Sequence, residues 1–276
     1  MPMIPNLKFH DGREMPQFGL GIWQVPADTT AEVVKDALDL GYRMIDGAAA
    51  YRNEEGLGTG IRQSGLDRDE LFVTTKVWNH GKGYDETRQS VAESLSRTTL
   101  DRFDLILLHW PFQDTESYVA AWKGLIDAQA EGQVTSIGVS NFHEAHLDRL
   151  IQETGVIPVL NQIEVNPKLQ QSEMRKVNAA REIVTQSWSP LGSGRSFDEE
   201  IVQQIAERVG KSAPQVILRW HIQLNNAVIS RSENKQHLAA NMDIFDFELS
   251  KSEMDAMSQL QTGERTGPDP ETFDGK

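Results

Sequence analysis

Short runs of apolar residues recur along the chain at intervals of about thirty residues, the usual length of one strand and helix unit. Continuous apolar runs of about four to eight residues are typical of strands that are buried on both faces. The stretches between these runs have the apolar spacing of amphipathic helices. Eight strands are predicted, and they lie at Gly19 to Trp23, Met44 to Asp46, Phe72 to Val77, Leu105 to Trp110, Thr135 to Ser140, Val159 to Val165, Ile183 to Trp188 and Val228 to Ser230.

Two of the predicted helices begin with the spacing of a capping box. Thr29 and Glu32 have the spacing of a capping box, and Gly41 stands where that helix is expected to stop. Ser250 and Glu253 have the same spacing further along the chain. Eight strands that alternate with helices favour a closed (β/α)8 TIM barrel of the α/β class over a doubly wound sheet. The G-x-G-x-x-G fingerprint of such a sheet is absent from the sequence.

Both ends of the chain lie outside this alternation. Asp11-Gly12 is a strong turn pair between two short strand-like runs, so an N-terminal β-hairpin is expected before the barrel. The segment Thr262 to Lys276 is polar and contains Pro268 and Pro270, which predicts a C-terminal loop over the rim. Because no linker rich in Gly, Ser or Pro divides the sequence, we expect a single domain over residues 1–276.

Composition narrows the range of functions. A net charge of -14 and a pI near 4.9 argue against a nucleic-acid or membrane partner, because both require a basic surface. With no cysteine, the chain has no disulfide, thiolate metal site or thiol nucleophile. The sequence shows neither a secretory signal pattern nor an apolar run of about eighteen residues. We therefore expect a soluble cytoplasmic protein, and a monomer.

Polar side chains stand at or just beyond the ends of several predicted strands. Asp46, Lys76 and His109 occupy such positions, and Tyr51 follows shortly after Asp46. A parallel barrel gathers residues of this kind at one rim. There a lysine favours tyrosinate and lowers the tyrosine pKa, while a carboxylate beside the lysine keeps it charged. The pattern predicts a proton-donating site in which His109 adds a second hydrogen bond to the oxygen that Tyr51 protonates.

Other interpretations of these residues remain open. Asp46 and Lys76 also fit an ordinary salt bridge at the rim, and His109 also fits a buried structural histidine. A metal-dependent hydrolase or isomerase needs several inward His, Asp or Glu ligands. Only Asp46 and His109 qualify among the strand ends, so no metal is expected. A barrel that binds a cofactor without turnover is a further alternative.

A series of ordered blocks resembles the aldo-keto reductases, most closely the bacterial 2,5-diketo-D-gluconate reductases. The blocks run over nearly the whole chain and read MPQFGLGIWQV, GYRMIDGAAAYRNEEGLG, LFVTTKVW, LILLHWP, IGVSNF, NQIEVNP, QSWSPLGSG and GPDP. The resemblance implies hydride transfer from a nicotinamide cofactor to the carbonyl carbon of a small ketone, α-ketocarbonyl compound or aldehyde. It implies that Tyr51 is the general acid, that Lys76 and Asp46 support it, and that His109 orients the carbonyl.

The resemblance also implies a cofactor site. Positions matching the nicotinamide and pyrophosphate contacts are Ser140, Asn141, Gln162, Trp188, Ser189, Leu191, Gly192 and Ser193. Positions matching the adenosine end are Ser230, Arg231, Ser232, His237 and Asn241. In this stretch Arg231 replaces a common lysine and His237 replaces a common arginine. Since Arg231 and Ser232 still suit a 2′-phosphate, NADPH is expected to be the better cofactor, with weaker use of NADH.

The expected substrate pocket lies on the strand-to-helix loops near the proposed acid. Its walls are assigned to Trp23, Ala49, Trp78, Asn79 and Trp110. Phe273 in the tail is a candidate for closing it. Two departures from the family pattern lie nearby: Gly47 replaces a common threonine, and Asn166 replaces a common histidine. Gly47 fits either a loosened Tyr51 loop or a tight turn.

Overall fold

Eight parallel strands close into a barrel in the computed structural model, which describes residues 4–112 and 115–275. Consecutive strands pair side by side, and the last strand pairs with the first to close the ring. The predicted TIM barrel is confirmed. A two-stranded hairpin, β1 (Asn6–Lys8) and β2 (Glu14–Pro16), precedes the barrel. The barrel strands are β3 (Phe18–Gly21), β4 (Met44–Asp46), β5 (Phe72–Val77), β6 (Phe103–Leu108), β7 (Val134–Ser140), β8 (Leu160–Glu164), β9 (Val184–Trp188) and β10 (Ala227–Ser230).

The predicted strands coincide with the observed ones to within two residues at each end. The bounds of β4 and β5 are as predicted, whereas β3 and β6 end two residues earlier. Apolar residues such as Ile22 and Trp110 continue past the last paired residue of these strands, so hydrophobicity alone overestimates their length.

Helices cover the outside of the barrel, and their caps agree only in part with the sequence. Ser250 accepts a hydrogen bond from the Glu253 backbone N–H, as predicted. The capping box predicted at Thr29 is wrong, because its hydroxyl donates to the Pro26 carbonyl instead. The helices are α1 (Thr30–Asp39), α2 (Glu54–Ser64), α3 (Tyr84–Thr98), α4 (Thr115–Ala130), α5 (Glu144–Thr154), α6 (Ser172–Ala180), α7 (Glu200–Val209), α8 (Ala213–Gln223), α9 (Lys235–Met242) and α10 (Lys251–Ser258).

The hairpin closes the N-terminal end of the barrel. Leu7, Phe9 and Met15 from the hairpin pack in one buried cluster with barrel residues that include Met44 and Leu160. The turn between the two strands contains Gly12 at φ 88°, a conformation that suits glycine. Burial of apolar side chains at this end leaves the opposite rim, at the carboxyl ends of the strands, for polar groups.

The C-terminal loop folds over that opposite rim, as predicted. The Phe273 ring lies 4.5 Å from the Trp110 ring and 5.9 Å from the Phe112 ring, centroid to centroid.

The sequence predicts no helix that crosses a membrane. Within residues 4–112 and 115–275, no helix has the length and hydropathy needed to cross a bilayer.

Candidate active site

Four side chains predicted to form the proton-donating site meet at the carboxyl end of the barrel. Asp46 ends β4, Lys76 lies near the end of β5 and His109 directly follows β6. Tyr51 ends a short 3₁₀ turn, Ala49–Tyr51, after β4. The Lys76 ammonium donates hydrogen bonds to the Asp46 carboxylate and, at 2.9 Å, to the Gly47 carbonyl, and its Nζ lies 3.4 Å from the Tyr51 hydroxyl oxygen.

Lys76 and Asp46 form a fully buried ion pair, with 0% and 1% of their side chains exposed. Burial lowers the pKa of Lys76, but the Asp46 and Tyr51 charges outweigh this effect and the net shift is upward. Burial raises the pKa of Asp46, and the Lys76 charge opposes that shift. The pair therefore keeps a charged ammonium beside the tyrosine hydroxyl.

The predicted direction of the Tyr51 pKa shift is wrong. Burial raises the pKa of Tyr51, and the Asp46 charge adds to the rise, while the Lys76 ammonium opposes it without reversing it. The hydroxyl lies close to Lys76 and Asp46, which are both buried, so little water can solvate the tyrosinate form. This loss of solvation outweighs the attraction of the Lys76 charge. Tyr51 is accordingly protonated near neutral pH, which is the state a proton donor requires.

His109 stands beside the tyrosine as a neutral imidazole. Its ring centroid lies 5.8 Å from that of Tyr51 and 5.2 Å from that of Trp78. Burial, with the nearby Lys76 charge, holds the pKa of His109 well below its ordinary value of 6.5. Its Nδ1 is buried and has no hydrogen-bond partner among the described residues. A neutral histidine is suited to hydrogen bonding with a substrate oxygen.

The residues assigned to the nicotinamide form a hydrogen-bonded group next to this site. Gln162 Nε2 donates to Asp46 Oδ2 at 2.8 Å, and the Ser140 hydroxyl donates to the Gln162 carbonyl at 2.9 Å. Asn141 Nδ2 donates to the Ser140 hydroxyl and to the His109 carbonyl, both at 3.1 Å. The Trp188 indole N–H donates to Asn141 Oδ1 at 2.9 Å, which fixes the plane of its half-buried ring.

The loop after β9 turns sharply where pyrophosphate contacts were predicted. Ser189, Gly192 and Ser193 all have positive φ, and Gly192 is buried while Ser193 is exposed. Leu191 packs partly into the core beneath the loop. The loop therefore presents backbone and hydroxyl groups at the rim next to Trp188.

The residues assigned to adenosine follow β10. The buried Asn241 amide donates to the Ser230 hydroxyl at 3.4 Å, and Ser232 bonds to the backbone of Asn234. His237 is exposed in the first turn of α9. Arg231 is also exposed; its guanidinium donates to the Gln24 carbonyl at 3.0 Å and pairs with Glu233, an acidic partner that the sequence analysis did not consider.

Aromatic side chains surround the approach to Tyr51 and His109. Trp78 and Trp110 both contact Phe273, and Trp23 is 52% exposed. Asn79 is buried, and its amide donates to the Trp110 carbonyl at 2.8 Å, so it holds the loop that carries this tryptophan. A cavity of about 770 Å³ lies beside Ala49, Ala50 and Trp78, but its other walls belong mainly to α2 and α3, and neither Tyr51 nor His109 lines it.

Gly47 is one of the two departures from the family pattern. It does not have a positive φ, so its backbone conformation does not require a glycine. A Cβ at this position would lie 3.3 Å from Leu57 Cδ2, a close contact with a side chain rather than with backbone. The Gly47 carbonyl accepts a hydrogen bond from the Lys76 ammonium, which connects this loop to the buried ion pair.

Sequence reasoning missed Glu164 at the end of β8. This carboxylate is 1% exposed and accepts hydrogen bonds from Thr266 and Gly267 in the C-terminal loop. A charged residue at the end of an apolar strand was a visible signal, but its partners lie about a hundred positions away along the chain. Within the described parts of the chain, no group of three or more His, Asp or Glu residues could hold a metal ion.

Comparison with known proteins identifies the family of the chain. Residues 15–262 match the profile of the Aldo/keto reductase family. An aldo-keto reductase from Mycolicibacterium smegmatis is 46% identical over 271 residues, and methylglyoxal reductase DkgA from Escherichia coli is 44% identical over 271 residues; each alignment covers 98% of both chains. The crystal structure of a Gox0644 mutant in complex with NADPH is 44% identical, with a TM-score of 0.94 and 99% of both chains covered. The chain therefore belongs to the aldo/keto reductase family of oxidoreductases.

Proposed function

We propose that this protein reduces small carbonyl compounds to alcohols with NADPH, and that Tyr51 is the general acid. One observation carries the proposal: a protonated Tyr51 hydroxyl lies 3.4 Å from the buried, charged Lys76 and beside the neutral ring of His109. Membership of an oxidoreductase family and the NADPH complex of a relative support the same reaction class.

The residues at the rim suit a nicotinamide cofactor. The half-buried Trp188 offers an aromatic surface, and the hydroxyl and amide groups of Ser140, Asn141 and Gln162 match the donors and acceptors of a carboxamide. Arg231 offers a guanidinium suited to the 2′-phosphate of NADPH. When bound, the reduced nicotinamide supplies the hydride that the carbonyl carbon accepts.

The side chains of the chain supply the proton. The Tyr51 hydroxyl donates its proton to the carbonyl oxygen, and the O–H bond of the alcohol forms as that of the tyrosine breaks. The Lys76 ammonium stabilises the resulting tyrosinate, and Asp46 keeps Lys76 charged and in place. His109 forms the second hydrogen bond to the same oxygen. General acid catalysis of this kind contributes about 10²- to 10⁴-fold to the rate.

The pocket supports a compact carbonyl substrate. Trp78 and Trp110 stand at the approach with Phe273 against both, and the small side chain of Ala49 lies two positions before the proposed acid in the sequence. One relative is named for methylglyoxal reduction. We therefore propose as substrates α-ketoaldehydes such as methylglyoxal and small ketones such as 2,5-diketo-D-gluconate.

The decisive experiment is steady-state oxidation of NADPH by the purified protein with a panel of diketones, ketoesters and aldehydes. Tyr51→Phe removes the donated proton and keeps the ring, so kcat is expected to fall by at least about 10²-fold. NADPH affinity, measured by quenching of tryptophan fluorescence, is expected to stay within about threefold of that of the parent protein.

Two outcomes contradict the proposal. Unchanged kcat in Tyr51→Phe would remove the tyrosine from its role. Tight NADPH binding by the parent protein without turnover of any compound in the panel would favour a cofactor-sensing barrel instead.

A further inference from the structure

Glu164 is a buried carboxylate whose described partners are all neutral. It is 1% exposed, and no ion pair to it is found among residues 4–112 and 115–275. Oε1 accepts hydrogen bonds from the Thr266 backbone N–H and hydroxyl, each at 2.6 Å, and Oε2 accepts from the Gly267 N–H at 3.2 Å. Asn166 Nδ2 donates to Oε1 at 3.2 Å. A buried carboxylate is costly unless it is hydrogen-bonded, so breaking any of these bonds is unfavourable. Glu164 therefore holds Thr266, Gly267 and Asn166 in place.

The first group that Glu164 holds is the C-terminal loop where it touches Trp188. A Cβ added to Gly267 would lie 2.4 Å from Trp188 Cη2, so the backbone at this position is in direct contact with the indole. Only glycine allows such an approach without displacing the ring. The indole is thus held between this backbone and the hydrogen bond from its N–H to Asn141.

The second group is the loop after β9, which Glu164 reaches through Asn166. Asn166 Oδ1 accepts from the backbone N–H groups of Lys168 and Leu169, at 3.0 and 3.1 Å, which fixes the orientation of its amide. A Cβ added to Gly192 would lie 3.0 Å from Asn166 Cγ, so this amide packs against the loop proposed to contact pyrophosphate.

We propose that Glu164 is a positioning residue for cofactor binding, which holds Thr266 and Gly267 against Trp188 and Asn166 against the Gly192 loop. One carboxylate thereby sets both the aromatic surface proposed for the nicotinamide and the loop proposed for the pyrophosphate before the cofactor arrives. The inference rests on the proposed NADPH site. Because Glu164 contacts neither Tyr51 nor Lys76, its loss weakens cofactor binding and spares proton delivery.

Glu164→Gln tests this role, because it keeps the shape but replaces one acceptor oxygen with an NH2 group that meets the N–H donors of the loop. We expect the Kd and KM for NADPH to rise by about tenfold, while kcat at saturating NADPH changes by less than about threefold. Gly267→Ala is a second test that leaves the carboxylate intact. The added methyl group contacts the Trp188 ring directly, and the variant is expected to show the same raised KM for NADPH with little change in kcat.

Glu173→Gln is the matched control, since Glu173 lies on α6 with 82% of its side chain exposed and, among the described residues, pairs only with its helical neighbour Lys176. NADPH affinity and kcat are expected to be unchanged in it. If Glu164→Gln does not fold, as judged by circular dichroism, Gly267→Ala decides the outcome. A raised KM with retained kcat supports the role of Glu164.

The role is overturned if the folded variants bind NADPH as the parent does, or if kcat falls while KM is unchanged. Failure of the parent protein itself to bind NADPH would overturn the proposed function and this inference together. Normal binding by the parent with unaffected variants would overturn only the inference.

Discussion

The Gln162 amide donates a hydrogen bond of 2.8 Å to the Asp46 carboxylate. Asp46 accepts a second bond from Lys76, whose Nζ lies 3.4 Å from the Tyr51 hydroxyl oxygen. The amide proposed to contact the nicotinamide and the hydroxyl proposed to donate the proton are therefore connected through one carboxylate. Both parts of the site share a buried ion pair, so substitutions in that pair are expected to change both the stability of the fold and the rate of carbonyl reduction.

Lys76→Met is expected to lower both the stability of the fold and the rate of proton transfer. The variant leaves Asp46 buried without its counter-charge, which is expected to lower the free energy of unfolding by about 3–5 kcal/mol. It also removes the ammonium that stabilises tyrosinate, so kcat is expected to fall by at least about 10²-fold. Urea unfolding and steady-state kinetics measure the two quantities.

The double variant Asp46→Asn with Lys76→Met is the control for this prediction. It removes both charges, so much of the lost stability is expected to return while kcat stays low. Recovery of kcat along with stability would mean that Lys76 acts only by maintaining the fold.

The pH dependence of carbonyl reduction follows from the pKa shifts of the two groups that would contact the substrate oxygen. The pKa of Tyr51 is raised above 10, so the acid stays protonated as the pH increases through 9. The pKa of His109 lies well below 6.5, so the ring stays neutral down to pH 6. We expect kcat at saturating substrate to be nearly constant between about pH 6 and 9. A titration centred near pH 6.5 that disappears in His109→Gln would contradict the neutral imidazole.

Much of the architecture is predictable because the hydrophobic pattern and the geometry of a closed barrel indicate the same strands. Strands are rich in apolar and β-branched residues, and Met44–Asp46 and Phe72–Val77 were predicted to the residue although Asp46 and Lys76 are charged. The carboxyl ends of parallel strands meet at one rim, so Asp46, Lys76 and His109 could be brought together without coordinates.

The features that escaped prediction depend on burial or on distant contacts. The direction of the Tyr51 pKa shift results from a competition between desolvation and the Lys76 charge, and the sequence shows only the charge. The hydrogen bonds from Thr266 and Gly267 to Glu164 span more than a hundred positions, so no local pattern reveals them. The pairing of Arg231 with Glu233 is local, but an exposed side chain has many alternative partners.

His221 is expected to weaken the fold on acidification. The ring is fully buried on α8, with Nε2 3.0 Å from the Pro190 carbonyl oxygen, and burial lowers its pKa to about 3. Between about pH 6.5 and 3 the unfolded chain binds a proton at His221 that the folded chain does not. Stability from this residue is therefore complete above pH 6.5 and is lost as the pH falls, by up to about 1.4 kcal/mol per pH unit.

Urea unfolding of the parent protein and of His221→Gln at pH 7, 6 and 5 checks this effect. The difference in unfolding free energy between the two proteins is expected to shrink as the pH falls, because glutamine does not titrate. Parallel pH profiles for the two proteins would show that His221 is protonated equally in the folded and unfolded states.

Cofactor preference is expected to depend on a competition at Arg231. Its guanidinium pairs with Glu233, so a 2′-phosphate must displace or share that carboxylate. Glu233→Gln removes the competitor and should raise the preference for NADPH over NADH in kcat/KM by about threefold, whereas Arg231→Ala should lower it by about tenfold or more, since charge-assisted hydrogen bonds contribute about 1.5–3 kcal/mol. The opposite signs of these two neighbouring substitutions distinguish phosphate recognition from a general disturbance of the loop, which would move both in the same direction. A strict NADH preference in the parent protein would show that Arg231 does not bind phosphate at all.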